Sequence, residues 1–157
     1  MRHLRIARRI GMALETVDPD RLVVVALGSN QGDSRASVLS AIERLSALGG
    51  ELVASSLMLS KPVDCPTGSP DFVNAVVAFE AKPGETPETL LEKLQTLEVE
   101  FGRQPKVVMN EPRPLDLDII LFGREERASE QLTIPHPRAH LRSFVTGPMA
   151  EIGLRLE

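Results

Sequence analysis

The chain is 157 residues long, which suits one domain with a core of its own. Hydrophobic residues make up 42% and charged residues 25%, an ordinary globular balance, and no apolar stretch approaches the roughly 18 residues of a membrane span. The net charge of −4 argues against a dedicated nucleic-acid binder, which is usually basic; the single cysteine, Cys65, rules out an intrachain disulfide or a cysteine metal cluster and suits a reducing cytoplasm.

Residues 1–20 differ in character from the rest of the chain. Arg2, Arg5, Arg8 and Arg9 are interspersed with Leu4, Ile6 and Ile10 in a basic, semi-amphipathic segment. It has no long apolar region, so it is not a secretory signal, and Glu15, Asp18 and Asp20 count against a transit peptide. We read it as a dispensable extension, with Met12 an alternative start, ahead of a domain over 21–157. The apolar, β-branched run at 22–27 predicts a buried central strand, the first in the chain. Gly28-Ser29-Asn30-Gln31-Gly32-Asp33 reads as a turn in which Asp33 caps a helix over 34–48. That helix carries the stripe Val38, Ile42, Leu45 and Leu48. Strands are predicted over 51–59 and 72–81, separated by a Pro-rich loop. Thr86, Pro87 and Gly102 then punctuate a second helix, with Leu90, Leu91, Leu94, Leu97 and Phe101 as its stripe. Residues 104–114 read as a long, mobile loop, a further strand is predicted to end near 122, and 132–134 suit a short strand. Residues 135–141 read as irregular or a short helix. This order predicts an α+β fold: a ferredoxin-like split βαβ sandwich, mainly antiparallel, with two helices on one face. The other face is open to ligand or covered by loops.

Chemistry concentrates in Arg113-Pro114-Leu115-Asp116-Leu117-Asp118-Ile119-Ile120-Leu121-Phe122. On a strand, Asp116, Asp118, Ile120 and Phe122 share one face, with Leu115, Leu117, Ile119 and Leu121 on the other. Two carboxylates roughly 6.5 Å apart along the strand are costly beside apolar neighbours unless cations neutralise them, and a pair of hard divalent ions does so. The alternative is an edge strand with a solvated face. Arg103, Lys106 and Arg113 precede this strand and His136, Arg138 and Arg142 come after it, which suits a magnesium nucleotide as well as it suits solvated surface charge. The glycine turn after the first strand lacks the GxxxxGK[ST] pattern, so it is no P-loop, although it lets a flat ligand approach the backbone. Glu98 interrupts an apolar stripe; pairing with Arg103 and ligand contact are the two accounts. Phe72 and Phe144 could stack a planar heterocycle, and Asn74, on the strand face of Phe72, can donate and accept to a ring edge.

These segments together resemble the 6-hydroxymethyl-7,8-dihydropterin pyrophosphokinase family of folate biosynthesis. The resemblance is carried by Ala26-Leu27-Gly28-Ser29-Asn30, by Pro70-Asp71-Phe72-Val73-Asn74-Ala75-Val76, by Glu98 through Arg103 into Pro112-Arg113-Pro114-Leu115-Asp116-Leu117-Asp118, and by Ile134-Pro135-His136-Pro137-Arg138 on to Arg142-Ser143-Phe144-Val145. It implies transfer of pyrophosphate from ATP to hydroxymethyldihydropterin, with AMP released, by a cytoplasmic monomer. It implies two Mg2+ per site on Asp116 and Asp118, with Arg103 and Arg113 catalytic. ATP contacts fall on Gln95, Glu98, Arg113, Ile119, Thr133, His136 and Arg142, and pterin contacts on Val63 or Asp64 and on Phe72, Asn74 and Phe144. Where members commonly carry Tyr this chain has Phe72, and Pro105, Met109 and Asn110 depart from the mobile loop of some members, so its ATP affinity is expected to differ. Members usually continue further, so a final packing segment is expected to be missing. A binding domain with a relict site and a magnesium-dependent phosphohydrolase are the other readings.

Overall fold

The computed structural model describes residues 4–6, 17–61, 68, 70–102 and 114–156. A strand buried on both sides needs apolar residues at every position, and the first half of β2 (Leu22–Ser29) supplies them: Val23, Val24 and Val25 are fully buried. It forms the middle of the sheet. β5 (Phe72–Glu80) pairs with it on one side and β6 (Asp116–Phe122) on the other, both antiparallel. β3 (Val53–Ala54) and β4 (Met58–Ser60) pair with the far side of β5, again antiparallel. The strand order is therefore β3 and β4, then β5, β2 and β6, the split βαβ order that the sequence predicts. The expected strand over 51–59 is in fact two pieces. Ser55 lies between them, its N–H donating to Val76 O and its Oγ accepting from Val76 N–H, each at 2.9 Å, so a side chain takes one place in the ladder.

α1 (Ser34–Leu45) and α2 (Pro87–Glu100) cover one face. Asp33 accepts from Ala36 N–H at 3.1 Å and so caps α1 as expected; α1 stops at Leu45, with turns rather than helix up to Leu48. Thr86 and Thr89 cap α2 reciprocally, and Gly102, at φ 101°, closes it in a conformation that favours glycine. Val38, Ala41 and Leu45 of α1 and Leu90, Leu94 and Leu97 of α2 join Val23, Val25, Leu27, Val77 and Phe79 in one core.

The opposite face is not left to loops. α3 (Ser143–Glu151), which the sequence reading does not predict, lays Val145 and Met149 against Val24, Val76 and Ala78, with Ile152 and Leu154 completing the layer. Gly147 and Pro148 inside it are poor helix formers and disguise it. The alternation along β6 also needs correcting. Val24 pairs with Leu121 and Val25 with Ile119, so Ile120 is the extra residue of a bulge. Beyond it Phe122 turns into the helix-side core and Leu121 to the other face, the reverse of strict alternation.

Two small ribbons complete the fold. β7 (Arg127–Ala128) pairs with β8 (Thr133–Ile134). β1 (Leu4–Ile6) pairs with β9 (Leu154–Leu156), so the first strand lies within the expected extension rather than at Leu22. A 3-10 turn at Pro19–Arg21 leads into β2. No helix among the described residues is long and apolar enough to cross a membrane.

Candidate active site

The cavity is built on the sheet face that α3 only partly covers. Cross-strand register aligns Asn74 of β5, Gly28 of β2 and Asp116 of β6 in one row, with Ala26 and Asp118 paired in a neighbouring row. Small residues therefore lie between a side-chain amide and two carboxylates. A Cβ at Gly28 would stand 3.4 Å from both Asn74 Oδ1 and Phe72 Cδ1, so glycine there keeps the floor low enough for a flat ligand to lie on it. Above this floor is a cavity of about 590 Å³, within the usual range for small-molecule sites. Phe72, Phe144, Ser60 and Lys61 line it together with Arg138 and Arg142.

Each polar wall has a fixed orientation. Asn74 is buried, and its Nδ2 donates to Ser60 Oγ at 2.8 Å and Met58 O at 3.0 Å. The amide nitrogen is thus engaged by β4, and Oδ1, over Gly28, is the atom offered to a ligand. The Arg142 guanidinium lies 5.8 Å from the centre of the Phe144 ring, which joins a cationic wall to an aromatic one. His136 is half-buried; its N–H donates to Ile120 O at 2.9 Å, and its Nδ1 accepts from the N–H of Arg138 at 3.2 Å. The neutral ring therefore carries its proton on Nε2. Burial holds the His136 pKa below its ordinary value; Arg142 and Arg138 push the same way, and Asp116 partly offsets them.

Of the residues expected from the sequence, Phe72, Asn74, Asp116, Asp118, Arg142 and Phe144 meet in this one cavity. Gln95, Glu98, Ile119, Thr133 and His136 are outside its lining. Gln95 is exposed on α2, and Thr133 is exposed on β8. The Ile119 side chain is in the helix-side core, which leaves only its main chain for a ligand. Glu98 is buried and accepts from Leu117 N–H at 2.9 Å. Arg103, Arg113, Val63 and Asp64 lie outside the described residues, as do Lys106, Pro105, Met109 and Asn110. Lys61, Ser60 and Leu141 are lining residues that the sequence reading does not single out, and nothing in their local pattern marks them. Arg138 stands out in the sequence only as one of several basic groups.

Among the described residues no cluster of three or more His, Cys, Asp or Glu side chains could hold a metal by itself. Two carboxylates facing a cavity with arginines fit a magnesium ion, which commonly takes one or two protein carboxylates and fills its remaining positions with phosphate oxygens and water.

Known proteins resemble this chain over most of its length. Residues 24–154 match the family model described as 7,8-dihydro-6-hydroxymethylpterin-pyrophosphokinase. A 2-amino-4-hydroxy-6-hydroxymethyldihydropteridine pyrophosphokinase of Bacillus subtilis is 39% identical over 140 residues, 88% of this chain and 81% of that protein. The folic acid synthesis protein fol1 of Pneumocystis carinii is 42% identical over 131 residues, 83% of this chain. A mitochondrial folate synthesis bifunctional protein of Arabidopsis thaliana is 39% identical over 141 residues, 88% of this chain. The chain spans only 17% of the length of the fungal relative and 24% of the plant one. By its strand order, its paired aspartates and these matches, the chain belongs to the 7,8-dihydro-6-hydroxymethylpterin-pyrophosphokinase family.

Proposed function

We propose that this protein transfers the β,γ-pyrophosphoryl group of ATP to the hydroxymethyl oxygen of 6-hydroxymethyl-7,8-dihydropterin. The observation that carries this reading is the row Asn74, Gly28, Asp116, which puts a heterocycle-recognising amide and a carboxylate on either side of a bare backbone floor. The pterin stacks between Phe72 and Phe144, and Asn74 Oδ1 accepts from a ring N–H. Arg138 and Arg142, which line the same cavity, neutralise phosphate oxygens, and His136, beside that lining, donates to ATP from Nε2 by resemblance to the family. Arg103 and Arg113 supply further positive charge to the migrating group, by resemblance to the family. Asp116 and Asp118 would hold two magnesium ions, which when bound screen the phosphate charge. The hydroxymethyl oxygen attacks the β phosphorus and releases its proton to water, the phosphorus–oxygen bond to the α,β-bridging oxygen breaks, and AMP leaves carrying that oxygen.

The cavity is read as serving a single copy of the chain, the monomer expected from the sequence. A cytoplasmic setting accords with the single cysteine. The test is product analysis with hydroxymethyldihydropterin and Mg-ATP. Pterin diphosphate and AMP should form in equal amounts. Formation of ADP would indicate a different transfer, free phosphate a hydrolase, and absence of turnover with retained pterin binding a relict site.

A further inference from the structure

β6 is the last strand of its sheet, yet its outer edge is not bare. Two groups from outside the sheet hold it. His136 N–H donates to Ile120 O at 2.9 Å, and Glu98 Oε2 accepts from Leu117 N–H at 2.9 Å. The second contact falls midway between the two aspartates. Leu117 is itself buried, its side chain in the helix-side core, so its N–H would otherwise be withdrawn from water without a partner. Glu98 is only 7% exposed, stands near the end of α2, and reaches the strand edge from the helix side rather than from the cavity.

We infer that Glu98 is a positioning residue for the carboxylate pair: by binding the main-chain N–H between Asp116 and Asp118 it sets the strand geometry that spaces the two side chains. Glu98 is not among the residues that line the cavity, so this role needs no contact with substrate, unlike the ATP contact that the family resemblance implies. The inference rests on the proposed reaction for the meaning of the pair. A buried oxygen acceptor fixed on a helix holds an edge N–H in one place, where exchanging water would not. Displacement of a ligand pair by about 1 Å is enough to cost roughly a hundredfold in rate, so such a hold matters at this position.

The test separates acceptor from charge. Glu98→Gln keeps an oxygen at the same reach and loses the charge. Glu98→Asp keeps the charge and is one methylene too short. We expect the Gln variant to stay within about twofold of wild type in the magnesium concentration for half-maximal AMP formation. The Asp variant should need about tenfold more magnesium, with KM for the pterin unchanged. Exchange of the Leu117 amide, followed by NMR, should quicken in the Asp variant alone. A damaged Gln variant beside a healthy Asp variant would make the charge itself the active feature and overturn the inference. Equal behaviour of the two variants, whether both healthy or both damaged, would overturn it as well. Wild-type protein that makes no AMP would instead overturn the proposed reaction, and Leu117 exchange in the same variants would still decide the positioning role.

Discussion

The two faces of the central sheet are made from the same strands but do different work. On the helix side Val23, Val25, Leu27, Val77, Phe79, Leu117 and Ile119 are all sealed under α1 and α2. The other side changes character along its length. Near Val24, Val76, Ala78 and Leu121 it is apolar and covered by α3. Toward the far end of β2 the residues shrink to Ala26 and Gly28 and the neighbours become Asn74, Asp116 and Asp118. Because adjacent strand residues point to opposite faces, stability and chemistry interleave one residue apart. Leu117 is part of the core and Asp118 is part of the cavity.

The strongest way to break this division is to change each face separately. Asp118→Ala, or Asp116→Ala, removes a half-buried carboxylate from the open face. Losing a metal ligand should cost about 4 kcal/mol of transition-state stabilisation, roughly a thousandfold in kcat/KM. The melting temperature should hardly move. A variant that keeps near wild-type turnover would remove the residue from the metal site. On the sealed face, Leu94→Ala empties a position that is 1% exposed between α2 and the sheet. It should lose about 2–5 kcal/mol in denaturant unfolding, while the folded fraction keeps its kcat/KM. An activity loss at Leu94 as deep as that at Asp118 would show that the faces are not separable.

A finer cut lies within the open face. Phe144 lines the cavity at the start of α3. Phe144→Ala should weaken pterin binding by about three- to tenfold, the worth of one aromatic stacking contact. ATP binding should change much less. Calorimetry with each ligand in turn would measure both. Equal losses for the two ligands would mean that Arg142, whose guanidinium rests over this ring, has been displaced as well.

The sealed face is the easier one to read from sequence. Its signals are local: the Val38 and Leu45 stripe, the Thr86-Pro87 start, and Gly102 as the stop. Asp116 and Asp118 are legible because charges inside an apolar strand are rare and carry a cost. What escapes depends on partners distant in the chain. The bulge at Ile120 is a property of pairing with β2, invisible in β6 alone. β1 is defined by residues 154–156 at the other end of the chain. α3 is hidden because its core contacts outweigh the poor propensities of Gly147 and Pro148. Glu98 stands out as an oddity in its stripe, but its partner is a main-chain N–H of Leu117, and backbone groups leave no mark on residue identity.

The mildest effect concerns His136, which is held by Ile120 and Arg138 backbone groups at the margin of the open face. Its pKa lies below the ordinary 6.5, chiefly through burial, with Arg142 and Arg138 adding to the shift. The unfolded chain therefore takes up this proton more readily than the folded one. Stability from the group is fully present above pH 6.5 and is lost as pH falls toward the folded value. His136→Gln removes the titration while leaving an amide that can donate from a similar place. We expect urea midpoints at pH 5 and pH 7 to differ more for wild type than for this variant. An NMR titration of the ring should show the neutral Nε2–H form at pH 7. If the two proteins lost stability equally on acidification, the ring would not be coupled to folding. At lower pH a second source enters, carboxylates such as Glu85 just before α2, where burial opposes the shift but Lys93 and Thr89 prevail and hold the group below its ordinary range. Protonating such a carboxylate costs stability only as pH falls toward its ordinary value of 4.5 and below, so the two sources separate by the pH at which the loss begins.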